Sequence, residues 1–409
     1  MCIPELTLTR RGKAGKRLST SRRLIFSLLQ HLQGAGLRLH DPHLGTHFFG
    51  DSQAAIQAEV VVHHSSAYRR VLFGGSIAAA ETYMDGDWDT PDLTAVILTL
   101  ATNMPVLDKL ESRLSWMSSP LNRMRHAFRR NSVKQAKRNI AAHYDLGNDF
   151  YTAFLDRAML YSSACYKQPE MTLEQAQQEK MRRLCVKLGL GPNDHLLEIG
   201  TGWGAMAEFA AREYGCRVTT TTISQEQYDY SCQRIQAAGL SDRVTVLKED
   251  YRNLTGQYDK LVSIEMIEAV GKNYIPLFFE RCQQLVKPGG RMALQAITIS
   301  EERFDSYARG VDFIQRYIFP GGFLPSVNLL QKTMNELTDF VSLDLFEMGL
   351  DYARTLQEWR NRFDHAWPQL EKGRFDEHFR RMWLFYLCYC EAGFRAKTIG
   401  TVQLTAERA

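Results

Sequence analysis

The stretch Leu196-Leu197-Glu198-Ile199-Gly200-Thr201-Gly202-Trp203-Gly204 constrains this chain more than any other. An apolar strand runs into a carboxylate, then into a glycine-spaced turn, and Ala205-Met206-Ala207-Glu208 opens a helix directly after it. Glycine lets a backbone turn tightly and lets a ligand approach where a Cβ would collide. Strand, glycine turn and helix together form a nucleotide-type cradle at the carboxyl edge of a parallel sheet. The spacing is G-x-G-x-G, without the G-x-G-x-x-G that a dinucleotide pyrophosphate requires at a helix N-terminus. It therefore favours S-adenosylmethionine as ligand. A turn that only packs a helix on a strand is the plainer alternative.

The rest of the chain reads as a doubly wound, Rossmann-like α/β fold with a smaller N-terminal α+β or helical domain. Strands are expected at 194–200, 217–223, 244–249, 258–265 and 290–298, with helices such as Gln225–Ala238 and Tyr274–Val286 between them. Lys287-Pro288-Gly289-Gly290 reads as a turn between helix and strand. Segments 340–347 and 398–406 read as closing edge strands, and Tyr317–Gly322 as a loop or lid. The organisation expected is a basic segment 1–24, an N-terminal lipid-associated domain 25–117, a basic linker 118–138 and a catalytic domain 139–409.

With 409 residues, 44% hydrophobic and 23% charged, the chain suits a globular protein with a sizeable core. It lacks any run of about 18 apolar residues, the length needed to span a bilayer, and the basic N-terminus lacks the apolar core of a signal peptide. Eight cysteines without C-x-x-C read as reduced thiols, and no metal site is expected. The net charge of +4 hides two basic clusters, Arg10–Arg23 and Arg123–Arg138. Such clusters suit a polyanion; without a nucleic-acid motif, an anionic membrane surface is the better match, and a solvated linker is the plain alternative.

Several polar groups sit where chemistry is expected. The second sheet strand ends in Thr221-Thr222-Ile223-Ser224-Gln225-Glu226-Gln227 without an acid, so hydroxyl and amide groups must serve a ribose there. Asp250, after the third strand, can accept from an adenine amine or act as a turn cap. Glu265 and Glu268 lie in the apolar run Ser263–Gly271, and carboxylates so placed need partners or a ligand. A continued strand would put them on opposite faces, in separate jobs. The aromatic and hydroxyl-rich segments Ala142–Tyr151 and Met159–Ser163 suit a cation-stabilising wall or plain core packing.

In order along the chain, HYDLGNDFY, YSSACY, LEIGTGWG, TISQEQ, EDYRNL, SIEMIEAVG, YIFPGGFLPS and LDYARTLQEW resemble the motifs of the cyclopropane fatty acid synthase family. The likeness is strong over Asn139–Ala409, and GGSIAAAETYMDGDWD resembles that family's N-terminal domain. The resemblance implies a class I methyltransferase sheet and methylene transfer from S-adenosylmethionine to a cis double bond of an unsaturated phospholipid acyl chain. The intermediate is a carbocation, deprotonated by a bound bicarbonate. It implies that Ser163, Glu268, Gln295, Ile297 and Tyr352 hold the bicarbonate. It assigns the cofactor to Tyr144, Tyr161, Ser162, Gly200, Gly202, Gly204, Thr222, Ile223, Gln227 and Asp250. Two positions depart from the usual pattern: cysteine is commoner at Ser163 and histidine at Gln295. Main-chain contacts survive at Ser163 and Ile297 whatever the side chain, and Gln295 still donates hydrogen bonds. The resemblance further implies a cytoplasmic enzyme peripherally bound to the inner face of an anionic membrane, with homodimerisation left open. The competing readings are a lipid C-methyltransferase leaving a methyl branch or methylated alkene, a lipid-binding relative that has lost catalysis, and a small-molecule methyltransferase, which the basic clusters and the YIFPGG segment disfavour.

Overall fold

The computed structural model describes residues 19–104 and 146–409. Tyr144, the cluster Arg123–Arg138 and most of the first basic cluster lie outside the described residues.

The N-terminal unit contains α1 (Thr20–Leu29), β1 (Ala35–Asp41), β2 (Gly45–Gly50), β3 (Ile56–Val62), α2 (Ser66–Met84), β4 (Trp88–Asp89) and α3 (Leu93–Thr102). Its strands form one sheet in the order β2-β1-β3-β4. Helix α1 starts ahead of the boundary expected at residue 25, because Ser19 caps it by accepting from the Arg22 N–H. Arg22 itself is no part of a solvated basic face. It is buried, pairs with Asp41 at 3.1 Å and lies over the Tyr68 ring.

The described part of the catalytic unit opens with the short helix α4 (Asn148–Thr152) and α5 (Leu173–Leu188). Thr172 and Gln175 close a capping box at the start of α5, and left-handed Gly189 ends it. There follow β5 (His195–Ile199), α6 (Ala205–Tyr214), β6 (Arg217–Thr221), α7 (Gln225–Ala237), β7 (Val244–Leu247), β8 (Tyr258–Ile264), α8 (Ile275–Leu285) and β9 (Val286–Ile299). The chain closes with α9 (Glu301–Tyr307), a π-helical turn at Ile314–Ile318, α10 (Val327–Leu337), β10 (Phe340–Glu347), α11 (Gly349–Leu370), α12 (Glu377–Arg395) and β11 (Ile399–Arg408).

Seven strands form a mixed sheet in the order β10-β11-β9-β8-β5-β6-β7. Strands β5 to β9 are mutually parallel, and β11 runs antiparallel to both β9 and β10. This is the expected class I methyltransferase fold, with two corrections. Of the two strands expected at an edge, β10 lies there, but β11 lies inside the sheet, as its buried run Thr401–Ala406 requires. The Lys287–Gly290 turn falls within β9. Val286 pairs with Tyr258 but Arg291 with Lys260, so extra residues bulge out there. A Cβ on Gly290 would stand 2.7 Å from the Asp259 carbonyl oxygen, which fixes glycine at that position.

The N-terminal unit packs against α12. Arg381 donates to the Trp88 carbonyl (2.9 Å) and to Asp89 (2.7 Å), and its guanidinium lies 4.1 Å from the Tyr83 ring centre. The buried Thr94 hydroxyl donates to Glu391 at 3.2 Å. One apolar core runs from Leu37 and Trp88 through Phe385 to Phe150 and Trp359, so the two units share it.

Candidate active site

Strand β5 carries buried Leu196, Leu197 and Ile199 to the centre of the sheet and stops at Gly200. Gly200, Gly202 and Gly204 all take positive φ, at 102°, 53° and 84°. They differ in what a Cβ would meet. At Gly200 it would press on Met266 and at Gly204 on Ser231, each at 3.2 Å, whereas at Gly202 nothing lies within 4 Å. Two glycines thus let neighbouring elements pack, and Gly202 faces open space, as a ligand cradle requires.

Around that space, Thr222 at the end of β6 donates to the Gln227 side-chain oxygen at 2.8 Å and accepts from the Ser224 N–H at 3.1 Å. Asp250, after β7, is not a bare acceptor: Arg252 clasps it through Nε at 2.8 Å and a second nitrogen at 2.7 Å. Glu198 is buried beneath the turn, accepts from the Thr220 hydroxyl at 2.6 Å, and is pushed up to about 8 by burial. The Ser162 hydroxyl accepts from Lys180 at 2.6 Å. Lys180 has no exposed surface, and burial pushes it down to about 8 against the opposing pull of Glu265 and Asp156.

The second half of the site centres on a residue that resemblance did not assign. Strand β8 ends at Ile264, and Glu265 turns into the left-handed region at φ 50°. The alternation that would have put Glu265 and Glu268 on opposite faces is therefore broken, and both carboxylates reach toward β9. Glu265 Oε1 accepts from the Ser163 N–H at 2.9 Å and from Gln295 Nε2 at 2.8 Å. Its Oε2 accepts from the Tyr352 hydroxyl at 2.8 Å. Glu268 Oε1 accepts from the Ile297 N–H, and its Oε2 is enclosed without a hydrogen-bond partner. Both glutamates are half-buried, with the carboxylate the deeper part.

Their protonation follows from these partners. Burial raises Glu265, but Gln295, Ser163, Lys180 and Tyr352 all oppose the rise. Burial pushes Glu268 up to about 8, and the charge of Glu265 adds to the shift. At neutral pH the proton stays on Glu268, while the donors around Glu265 favour its charged form against the net rise that burial imposes.

A continuous aromatic wall joins the two halves. Tyr352 lies 6.1 Å from Trp359, Trp359 5.3 Å from Tyr161, Tyr161 5.4 Å from Tyr151, and Tyr151 5.1 Å from Trp203 of the cradle turn. Phe319 approaches Tyr161 at 6.3 Å, and the Tyr161 and Tyr386 hydroxyls meet at 2.9 Å. Such a wall suits a cation and excludes water.

The five positions assigned to bicarbonate do come together, but they do not fit the anion. Gln295 directs its amide nitrogen to the Ser163 carbonyl at 3.3 Å as well as to Glu265. The Ser163 and Ile297 N–H groups and the Tyr352 hydroxyl are likewise engaged by the two glutamates. A further anion would meet one carboxylate, one carboxyl group and no unengaged donor from these positions. Sequence reasoning singled out Glu265 as a carboxylate in need of a partner but gave it no place in the site, and it missed Lys180. The signal available was two carboxylates in an apolar run. Among the described residues no cluster of three or more His, Cys, Asp or Glu suits a metal, the cysteines are unpaired, and no helix is long and apolar enough to cross a membrane.

Comparison with known proteins agrees with this fold. Residues 131–404 match the family model described as mycolic acid cyclopropane synthetase. The chain is 41% identical to the tuberculostearic acid methyltransferase UfaA1 of Mycobacterium tuberculosis, over 85% of this chain and 82% of that one. It is 36% identical to the cyclopropane-fatty-acyl-phospholipid synthase of Escherichia coli, over 86% and 88%. Among solved structures, the mycolic acid cyclopropane synthase CmaA1 complexed with SAH and CTAB superposes with a TM-score of 0.63 at 31% identity, covering 66% of this chain and 98% of that one.

Proposed function

The chain belongs to the mycolic acid cyclopropane synthetase family of S-adenosylmethionine-dependent lipid-modifying methyltransferases, and from that premise we propose that it alkylates the cis double bond of an unsaturated phospholipid acyl chain, with a cyclopropane as product. The observation that carries this reading is a carboxylate held by three donors at the end of an aromatic wall that starts at the cofactor cradle.

S-adenosylmethionine supplies an electrophilic methyl group. Gly200, Gly202 and Gly204 would cradle it, with Thr222, Ile223, Gln227 and Asp250 along the β6–β7 side and Tyr161 and Ser162 on the other; the resemblance adds Tyr144 to these. The wall of Tyr161, Trp359 and Phe319 would steady the cation left on the acyl chain; each well-placed ring contributes about 0.5–2 kcal/mol. Because the wall excludes water, the cation is not quenched as an alcohol and must lose a proton within the site. The protonated Glu268 would keep the negative charge of the site on Glu265 alone. The basic clusters would dock the enzyme on an anionic bilayer that holds the acyl chains.

A second reading, methylation to a methyl-branched or methylated unsaturated chain, shares the cation and is favoured by the tuberculostearic acid relative. Incubation with methyl-labelled S-adenosylmethionine and oleoyl phospholipid vesicles separates the two. Proton spectra of the recovered lipid show ring protons for the first product and vinyl or branch-methyl protons for the second.

A further inference from the structure

Glu265 is gripped from three separate elements: the loop after Tyr161 through the Ser163 N–H, β9 through Gln295, and α11 through Tyr352. We propose that Glu265 is the enzyme's own proton acceptor, a carboxylate of the chain standing where the family resemblance calls for a bound bicarbonate. The inference rests on the acyl-chain reading above and specifies its base.

Three independent features support it. First, the donors that the resemblance assigns to bicarbonate at Ser163, Gln295 and Tyr352 all converge on this one carboxylate. Second, Glu265 holds a left-handed backbone, which favours glycine over a side-chain-bearing residue; such strain persists where surrounding contacts enforce it, and it concentrates at functional sites. Third, the polarity of Gln295 is fixed from behind. Arg183 Nε, a donor only, binds Gln403 Oε1 at 3.1 Å, so Gln403 must present its nitrogen to Gln295 Oε1, at 2.9 Å. Gln295 must then present its own nitrogen to Glu265. A side chain that cannot become cationic still serves as an oriented donor to a permanent carboxylate.

The step balances without an external base. The π pair of the alkene bonds to the methyl carbon, the sulfur–carbon bond breaks toward sulfur, and the positive charge moves to the acyl chain. Closing the ring breaks a C–H bond of the transferred methyl, its electron pair bonding to the cationic carbon; forming an alkene instead breaks a C–H bond on a carbon beside the cation; in either case the proton passes to Glu265. Oε2 accepts one hydrogen bond against two at Oε1, so it keeps the freer lone pair. The carboxyl group returns the proton to solvent after product leaves.

The test uses the full chain, carbon-13 bicarbonate as probe, and S-adenosylhomocysteine affinity as the check of folding. Wild type should run at the same rate in carbon-dioxide-free buffer and in added bicarbonate, and should show no bound labelled bicarbonate by NMR. Glu265→Gln should bind S-adenosylhomocysteine as wild type does and lose about 10²–10⁴-fold in turnover, the range of a general base. Glu265→Gly, which suits the left-handed backbone, should lose turnover in bicarbonate-free buffer, bind the labelled anion, and recover at least about tenfold when it is added. Wild type that binds labelled bicarbonate or slows on its removal overturns the proposal, as does a Glu265→Gln enzyme with undiminished turnover. If wild type transfers no label to lipid at all, the acyl-chain reading fails, while the bicarbonate titration still decides whether Glu265 fills the anion position.

Discussion

Gln403 donates from its amide nitrogen to the side-chain oxygen of Gln295 across 2.9 Å, and this bond between adjacent strands decides which end of Gln295 faces the reaction. Both side chains are buried, so neither finds water as an alternative partner.

Replacing Gln403 with leucine should therefore disturb chemistry at one remove. The Gln295 oxygen would lose its donor, at a cost of about 1–3 kcal/mol for a buried unsatisfied group, and its amide would be free to turn. We expect kcat to fall by roughly tenfold, with S-adenosylhomocysteine affinity unchanged. At Gln295 itself, leucine should abolish most turnover and histidine should keep part of it, because only histidine still donates. Steady-state kinetics beside calorimetric titration measure both effects; equal activity in the two Gln295 variants would show that this side chain does not act on the base.

A cradle prediction follows from the open space at Gly202. Gly202→Val should remain folded, since a Cβ there meets nothing within 4 Å, yet should lose S-adenosylhomocysteine binding because the side chain would fill the ligand's space. The left-handed backbone adds about 1–2 kcal/mol of strain for a non-glycine residue. Wild-type affinity in a folded Gly202→Val protein would remove the turn from the site.

Two glutamates raised to about 8 give stability a pH slope. Glu198 titrates at about 8 in the folded protein against 4.5 ordinarily, so between those values the folded chain keeps a proton that the unfolded chain has released. Stability then falls as pH rises from about 4.5 to 8. Glu268, also at about 8, adds to the same slope. Thermal melts should show Tm decreasing across this window, with a shallower decrease for Glu198→Gln. An unchanged slope in that variant would contradict the buried, protonated state.

Much of this architecture was legible in the chain. The apolar run Leu196–Ile199 with its glycine turn located the cradle because strand, turn and helix signals are local. The position of β11 was not legible: residues 398–406 read as a strand, but insertion between β9 and β10 is set by tertiary packing. Glu265 was noticed but placed on the wrong face, because period-two reasoning assumes that a strand continues, and nothing in a glutamate announces a left-handed turn. Arg22 was visible as a charge, while its partner Asp41 lies at the end of β1, far off in sequence. Lys180 sits on an amphipathic helix, and only assembly with the Ser162 loop shows that its ammonium is buried.

The contact between the two units depends on Arg381. Truncation to alanine would strip the Trp88 carbonyl and Asp89 of a donor and remove the stack on Tyr83. We expect a loss of about 2–4 kcal/mol, from hydrogen bonds to a charged group and the cation–π contact together, read as a lower denaturation midpoint. A midpoint within error of wild type would show that the units are held together without it.

The most direct test is of carbon transfer to lipid. Full-length protein is incubated with carbon-13 methyl-labelled S-adenosylmethionine and vesicles of oleoyl phosphatidylglycerol, and the recovered phospholipid is examined by NMR. The account predicts labelled carbon joined to the former double bond, as a ring methylene in the leading case, with one equivalent of S-adenosylhomocysteine formed per carbon transferred. Unlabelled acyl chains, from protein that binds S-adenosylhomocysteine normally, would contradict it.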